Sequence, residues 1–232
     1  MIPLAQTKKL MSESQEDYLK QIYLLTEETL LAGTQALADK LGVSPASVTV
    51  MVQKLAELDL VHYEQYKGVK LSENGTRAAL EILRHHRLLE SFLQKALGYG
   101  WDEVHDEAEK LEHYISERFE SRMADWLGHP SHDPHGDPIP DAALVLPEAG
   151  QTLRLVEQAQ GFQGLIVRVA TQDTDELNLF RQLGLIPGIP VELTEANSDA
   201  VRVRCNKGAF LLPLALGAKL QVVASPGQGE RA

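Results

Sequence analysis

The stretch HDEAEKLEH, residues 105–113, sets His105, Glu109, Glu112 and His113 close together in the chain. Its spacing predicts one continuous helix over 101–127, on which offsets of four, seven and eight residues from His105 share a face. An earlier predicted helix carries His86 and Glu90 as an i, i+4 pair. Charged residues on a helix are ordinarily a solvated face, and a single histidine is ordinarily structural. Two such groups on consecutive helices point instead to a divalent cation. Imidazoles and carboxylates without thiolate favour hard or borderline ions, and several carboxylates per ion suit six-coordinate Mn2+ or Fe2+. Zn2+, Co2+ and Cd2+ are the expected substitutes in vitro, where intrinsic affinity rather than biological purpose decides. A thiolate-rich zinc site is disfavoured, because the single cysteine, Cys205, lies far from both groups in sequence.

The elements that must position these residues can be read along the chain. A helix is predicted over 12–27, with Ser14 and Asp17 as a capping box and Tyr18, Ile22 and Leu25 at helical spacing. Residues 33–61 read as a helix-turn-helix. Thr34 caps a short helix bearing Leu37 and Leu41, and Gly42 ends it. Ser44 caps the next helix, with Pro45 at its first position, where the missing N–H costs nothing. Val48, Val52 and Leu55 form its inner face. VHYEQYKGVKL, residues 61–71, predicts a two-stranded wing with a turn at Lys67-Gly68. A long helix over 75–97 is interrupted by Gly98 and Gly100, and the helix over 101–127 ends at Gly128-His129-Pro130. The Pro-, Gly- and Asp-rich segment 129–150 reads as loop and linker. His129, His132 and His135 have ligand-like spacing there, but a proline-rich loop is poorly preorganised, which disfavours a third metal site. Residues 151–225 turn to short strands with one helix near 173–184, as in a small β-barrel that binds peptides or packs onto another domain.

The expected architecture is therefore mainly α with a small all-β C-terminal domain. Its parts are a winged helix-turn-helix over 1–74, a helical metal-binding and dimerisation domain over 75–140, a linker over 141–150 and an SH3-like barrel over 151–232. DNA contact is expected from Ser44, Pro45, Ser47, Thr49, Gln53 and Lys54 on the second helix of the pair, and from Lys67 and Lys70 in the wing. The chain has 232 residues, 44% of them hydrophobic, and a formal net charge of −11. That charge argues against broad nucleic-acid affinity but is compatible with a local reading surface switched on by a cation. No apolar run approaches the ~18 residues that span a bilayer. The N-terminal MIPLAQTKKLMSESQED lacks a signal-peptide core, and a lone cysteine fits a reducing cytosol. A cytoplasmic protein is expected.

The order of parts, together with the strings EDYLKQIYLL, SVTVMVQKL, RHHRLLESFL, HDEAEKLEH and GDPIP, resembles the diphtheria toxin repressor family of metal-dependent transcription regulators. The resemblance spans nearly the whole chain, including the C-terminal FeoA-like barrel of long members. It implies a primary site of Asp17, Glu109, Glu112 and His113, and an ancillary site of His86, Glu90 and His105. The stretch DTDEL nominates Asp173 and Glu176 as ancillary ligands from the barrel. Iron-type members resemble this chain less at two positions, carrying methionine where Asp17 stands and cysteine where Glu109 stands. The carboxylates there imply the manganese type. Lys20 stands where short manganese regulators carry a glutamate, which implies two separated sites rather than a closely paired centre. The resemblance further implies a homodimer on double-stranded operator DNA and repression of metal-uptake genes. The alternatives are an iron(II)-responsive regulator, a regulator sensing an organic ligand through its barrel, and a metal-dependent hydrolase. An enzyme is not expected, since nothing nominates a substrate pocket.

Overall fold

The computed structural model describes residues 11–64, 67–148 and 150–225, without the side chain of Glu28. Most of the N-terminal segment read for a signal peptide, residues 1–10, and residues 226–232 of the barrel region lie outside them. The chain divides into two compact units. The first comprises residues 1–85, 112–115 and 142–145, and the second 86–111, 116–141 and 146–232. The architecture is the expected one, mainly α followed by a small all-β part.

In the first unit, α1 (Glu13–Glu28) leads to α2 (Thr34–Leu41) and α3 (Pro45–Glu57). The capping box on α1 is formed by Ser12 and Gln15, not by Ser14 and Asp17. Gln15 N donates to Ser12 Oγ (3.4 Å), and Ser12 N donates to Gln15 Oε1 (2.9 Å). Asp17 is thereby left for other work. Thr34 is not a cap either: Gly33 holds that position with no side-chain bond. Gly42 closes α2 in the left-handed region (φ 65°), where a side chain would be strained, and Ser44 Oγ accepts from Ser47 N at 3.1 Å to start α3. Leu37, Val48, Val52 and Leu55 share one core with Tyr18, Leu19 and Ile22 of α1, so whatever fixes α1 also fixes the helix pair. Each such aliphatic burial contributes about 2 kcal/mol. The wing pairs β1 (Val61–Glu64) antiparallel with β2 (Gly68–Leu71), in register Val61↔Leu71 to Glu64↔Gly68.

The long helix α4 (Glu73–Leu97) begins in the first unit and ends in the second. Beyond it, the expected helix over 101–127 is two helices, α5 (Val104–Leu111) and α6 (Glu117–Leu127). The cause is local: Ser116 is extended (φ −88°, ψ 155°) and its Oγ caps α6 by accepting from Phe119 N at 3.3 Å. Glu112 and His113 therefore lie in the turn after α5 rather than on its face. The β part comprises β3 (Leu153–Arg154), which the sequence reading did not separate, β4 (Gln163–Val169), β5 (Pro190–Ala196), β6 (Ala200–Cys205), β7 (Gly208–Pro213) and β8 (Leu220–Ala224). They form one antiparallel sheet in the order β3-β8-β4-β5-β6-β7. Helix α7 (Thr174–Leu183) adds Leu177 and Phe180 to the core beneath it, and Trp101 joins the same core from ahead of α5.

Candidate metal centre

Within the units, three groups of described side chains bring the donors of a cation site together, one in the first unit and two in the second. In the first, Asp17, Glu112 and His113 bring one ligand atom each to within 4.8 Å of one another. His113 Nε2 lies 3.1 Å from Asp17 Oδ1 and 3.6 Å from Glu112 Oε1. Its Nδ1 lies 2.6 Å from Glu16 Oε2. A proton on Nδ1 donated to Glu16 turns Nε2 toward Asp17 and Glu112, the orienting device that metal-binding histidines ordinarily carry. Glu16 was not singled out from sequence; its position beside Asp17 at the start of α1 was the available signal. Burial pulls the His113 imidazolium toward neutrality, but hydrogen bonds with Asp17 and Glu16 and the charge of Glu112 outweigh it, and its pKa stands at about 10. Glu112 is fully buried and pairs with the equally buried Lys20, Nζ to Oε1 at 2.5 Å. The His85 ring and the Glu112 carbonyl, 3.2 Å apart, fix the backbone of this turn.

In the second unit, Glu90 Oε1 lies 3.0 Å from His86 Nε2, 3.2 Å from His105 Nδ1 and 3.5 Å from His135 Nδ1. Glu109 Oε2 is 3.5 Å from His86 Nδ1. His86, His105 and Glu109 form one potential ligand set, and Glu90, Asp133 and His135 form another. The resemblance assigns Glu109 to the first site; its neighbours here are those of the second. Burial alone would raise the Glu90 carboxyl, but the charges of His86 and His135, with hydrogen bonds from His105 and His135, hold it well below the usual carboxylate range. Asp133 is pushed well above that range by burial and by the charges of Glu90 and Asp137. Burial opposes the charge on His135, yet Glu90 raises its pKa to about 9. Asp133 Oδ1 accepts from His135 N (2.8 Å) and Asp137 N (2.9 Å), whereas Oδ2 is buried with no hydrogen-bond partner. Arg87 Nε lies 4.0 Å from that Oδ2; Asp133 with Glu90 and His135 makes a donor set that fits a divalent ion, and no thiolate is among the donors.

The loop carrying Asp133 and His135 is better ordered than its prolines suggest. His135 Nε2 lies 2.9 Å from the Trp101 carbonyl, and Trp101 Nε1 donates to the Pro134 carbonyl at 2.8 Å. Val169 N of β4 donates to the His135 carbonyl at 2.9 Å, and Arg168 pairs with Asp137 at 2.5 Å. Gly136 has φ +91°, and a Cβ there would meet the Val167 carbonyl at 2.0 Å. Gly136→Ala is therefore expected to cost about 2 kcal/mol or more and to lower the melting temperature by several degrees in a thermal melt. An unchanged melting curve would contradict this packing. Of the loop histidines, only His135 turns inward. His129 pairs with Asp125 (3.4 Å) and His132 contacts Ser131 Oγ (3.0 Å), both exposed.

Asp173 and Glu176 fall in none of the ligand clusters found among the described residues. Asp173 caps α7, accepting from Glu176 N at 3.0 Å, and Glu176 pairs with Lys219 and accepts from Thr171 Oγ1 at 2.5 Å. On α3, Ser44, Pro45, Ser47, Gln53 and Lys54 are exposed, and Thr49 is half-buried with its hydroxyl donating to the Pro45 carbonyl at 3.0 Å. Ser44 serves as the cap. Lys67 and Lys70 are exposed on the wing, with Lys67 2.6 Å from Glu64.

Residues 10–69 match the iron-dependent repressor N-terminal DNA-binding domain, residues 72–141 the iron-dependent repressor metal-binding and dimerisation domain, and residues 153–224 the FeoA domain. The iron-dependent repressor IdeR of Mycobacterium bovis is 32% identical over 202 residues, covering 82% of this chain and 88% of that protein. The transcriptional regulator MntR of Bacillus subtilis is 36% identical over 120 residues, 52% of this chain and 84% of its own length. A solved manganese-dependent transcriptional repressor in complex with manganese superposes with a TM-score of 0.84 at 35% identity, covering 91% of this chain and all of that one.

Proposed function

Since the chain belongs to the iron-dependent repressor family of metal-dependent DNA-binding regulators, we propose that it is a manganese-responsive repressor of metal-uptake genes. It acts in the cytoplasm as a homodimer on double-stranded operator DNA. Its relatives are transcriptional repressors, not enzymes, and the hydrolase reading is set aside. The observation that carries the manganese reading is the meeting of Asp17, Glu112 and His113, a set of hard oxygen and imidazole donors without sulfur. The second set is proposed to comprise His86, Glu90, His105 and Glu109 with Asp133 and His135. Asp173 and Glu176 remain expected ligands carried by the resemblance alone.

A bound divalent ion would add positive charge among Asp17, Glu112 and His113 and bind all three at once. The residues do the rest. Asp17 projects from α1, whose Tyr18, Leu19 and Ile22 share a core with α3, and Glu112 and His113 hold it from the turn after α5. Fixing α1 thus selects one placement of the reading helix, where Ser44, Pro45, Ser47, Thr49, Gln53 and Lys54 face the DNA and Lys67 and Lys70 meet phosphates. The expected result is an operator affinity about 100-fold higher in Mn2+ than in chelator, a coupling of about 2.7 kcal/mol. Fluorescence anisotropy on a palindromic operator measures it, and equal affinity in the two conditions would sink the reading. Zn2+, Co2+ and Cd2+ are expected to substitute in vitro. An iron(II)-responsive regulator is the second reading, favoured by the matched domain families. Parallel anaerobic Fe2+ and Mn2+ titrations at matched free-ion concentrations separate the two.

The dimer face is proposed to be the aromatic patch of Phe92, Phe119 and Trp126, where Phe92 packs edge-on against both partners at centroid distances of 6.3 and 5.4 Å. Phe119 and Trp126 are 45% and 56% exposed, so neighbouring aromatic rings share one solvent-facing patch. Trp126→Asp is expected to shift the protein to monomers in sedimentation velocity. Dimers that persist undiminished would move the interface elsewhere.

A further inference from the structure

Lys20 is among the largest fully buried side chains of the protein, and Glu112, against which it lies, is buried equally. An ammonium taken out of water costs several kcal/mol, a cost offset only by close pairing with an opposite charge. The pairing here is Lys20 Nζ to Glu112 Oε1 at 2.5 Å. The same Oε1 is the atom that faces His113 Nε2 at 3.6 Å, the nitrogen that also faces Asp17. The oxygen held by the lysine is therefore the oxygen presented to the Asp17–His113 pair.

We propose that Lys20 is a built-in competitor at the first metal set: its ammonium is the internal counterion of Glu112, and it sets how tightly that set holds a divalent cation. The inference rests on the reading of Asp17, Glu112 and His113 as ligands. A cation that arrives between those three groups and takes Oε1 must share it with the ammonium or displace it, and one that takes the other oxygen still binds a carboxylate the ammonium already holds. Either way it meets a fixed positive charge a few ångströms off, in surroundings where charges are poorly screened. Without a divalent ion, the same ammonium is a buried counterion against Glu112. Lys20 is thus a positioning and affinity-setting residue, not a ligand. It makes the protein stable before metal arrives and raises the free-ion concentration at which the response begins.

The test uses the full chain and Mn2+ alone. Lys20→Met keeps length and burial while removing the charge. Isothermal titration, with electron paramagnetic resonance counting free Mn2+, is expected to show the variant binding about tenfold more tightly than wild type at this set. Its melting temperature in chelator is expected to fall below that of wild type, and Mn2+ is expected to raise it by more. Lys20→Gln tests the same directions if Lys20→Met does not fold. Lys20→Met combined with Glu112→Gln, which removes both charges, is expected to recover the melting temperature in chelator and to lose the Mn2+ site. Unchanged or weaker Mn2+ binding in a folded single variant overturns the proposal, as does an undiminished melting temperature in chelator. A wild-type protein that binds no Mn2+ at this set would instead overturn the ligand reading beneath it.

Discussion

His113→Ala is expected to remove the metal response altogether, leaving operator affinity in Mn2+ at its chelator value, about 100-fold below that of wild type. The imidazole is the hub of its group: Nε2 faces Asp17 and Glu112, and Nδ1 is held by Glu16. Without it, Asp17 and Glu112 are left facing each other, with Lys20 still against Glu112, and Glu16 loses its contact with Nδ1. Asp17 then loses its imidazole partner in the turn after α5, and α1 keeps the Lys20–Glu112 and Glu13–Tyr114 contacts with that turn but not the one a cation would share. The measurement is anisotropy on the operator, with circular dichroism showing that the fold persists. A folded His113→Ala protein that still gained tenfold or more in affinity from Mn2+ would remove this group from the switch. Glu16→Gln is expected to show a milder form of the defect, because it weakens the hold on Nδ1 and leaves the ligand atoms in place.

The second large effect is expected at Glu90. Its Oε1 touches His86, His105 and His135, and all but His105 of these groups are almost completely buried. Removing one partner of a buried ionic cluster typically costs about 3–5 kcal/mol, because the charges left behind have no counterion. For a chain of this length that is about 10 °C in melting temperature. Glu90→Gln is therefore expected both to melt early in chelator and to bind fewer Mn2+ ions per chain in equilibrium dialysis. Wild-type stability together with wild-type stoichiometry would show that Glu90 anchors no site. His86→Ala removes one imidazole rather than the shared carboxylate, so a weaker response with DNA binding retained is expected. Glu109→Ala is expected to follow His86→Ala, since Glu109 faces His86. Should it instead match the complete loss in His113→Ala, Glu109 would return to the first set, where the resemblance placed it.

What the sequence by itself determined were the features written in adjacent residues. Gly42 as the left-handed end of α2, Ser44-Pro45 as the start of α3, the buried face of Val48, Val52 and Leu55, and the antiparallel wing all follow from caps, periodicity and turn chemistry. The types of the candidate ligands were legible for the same reason, but their division into two sets came from the family resemblance. What the tertiary structure alone decided was how donors far apart in the chain are shared. HDEAEKLEH reads as one helical face, but Ser116 starts a new helix, and the turn it forces sends Glu112 and His113 to Asp17 while His105 and Glu109 stay with His86. Asp133 and His135 looked like residues of a loose loop, because the Trp101 carbonyl, the close approach of Gly136 to Val167 and the hydrogen bond from Val169 are contacts between distant segments. Lys20 carried no sign in its neighbours that it would be buried. A side chain is committed to the interior by the partner it meets there, and Glu112 lies 92 residues away along the chain.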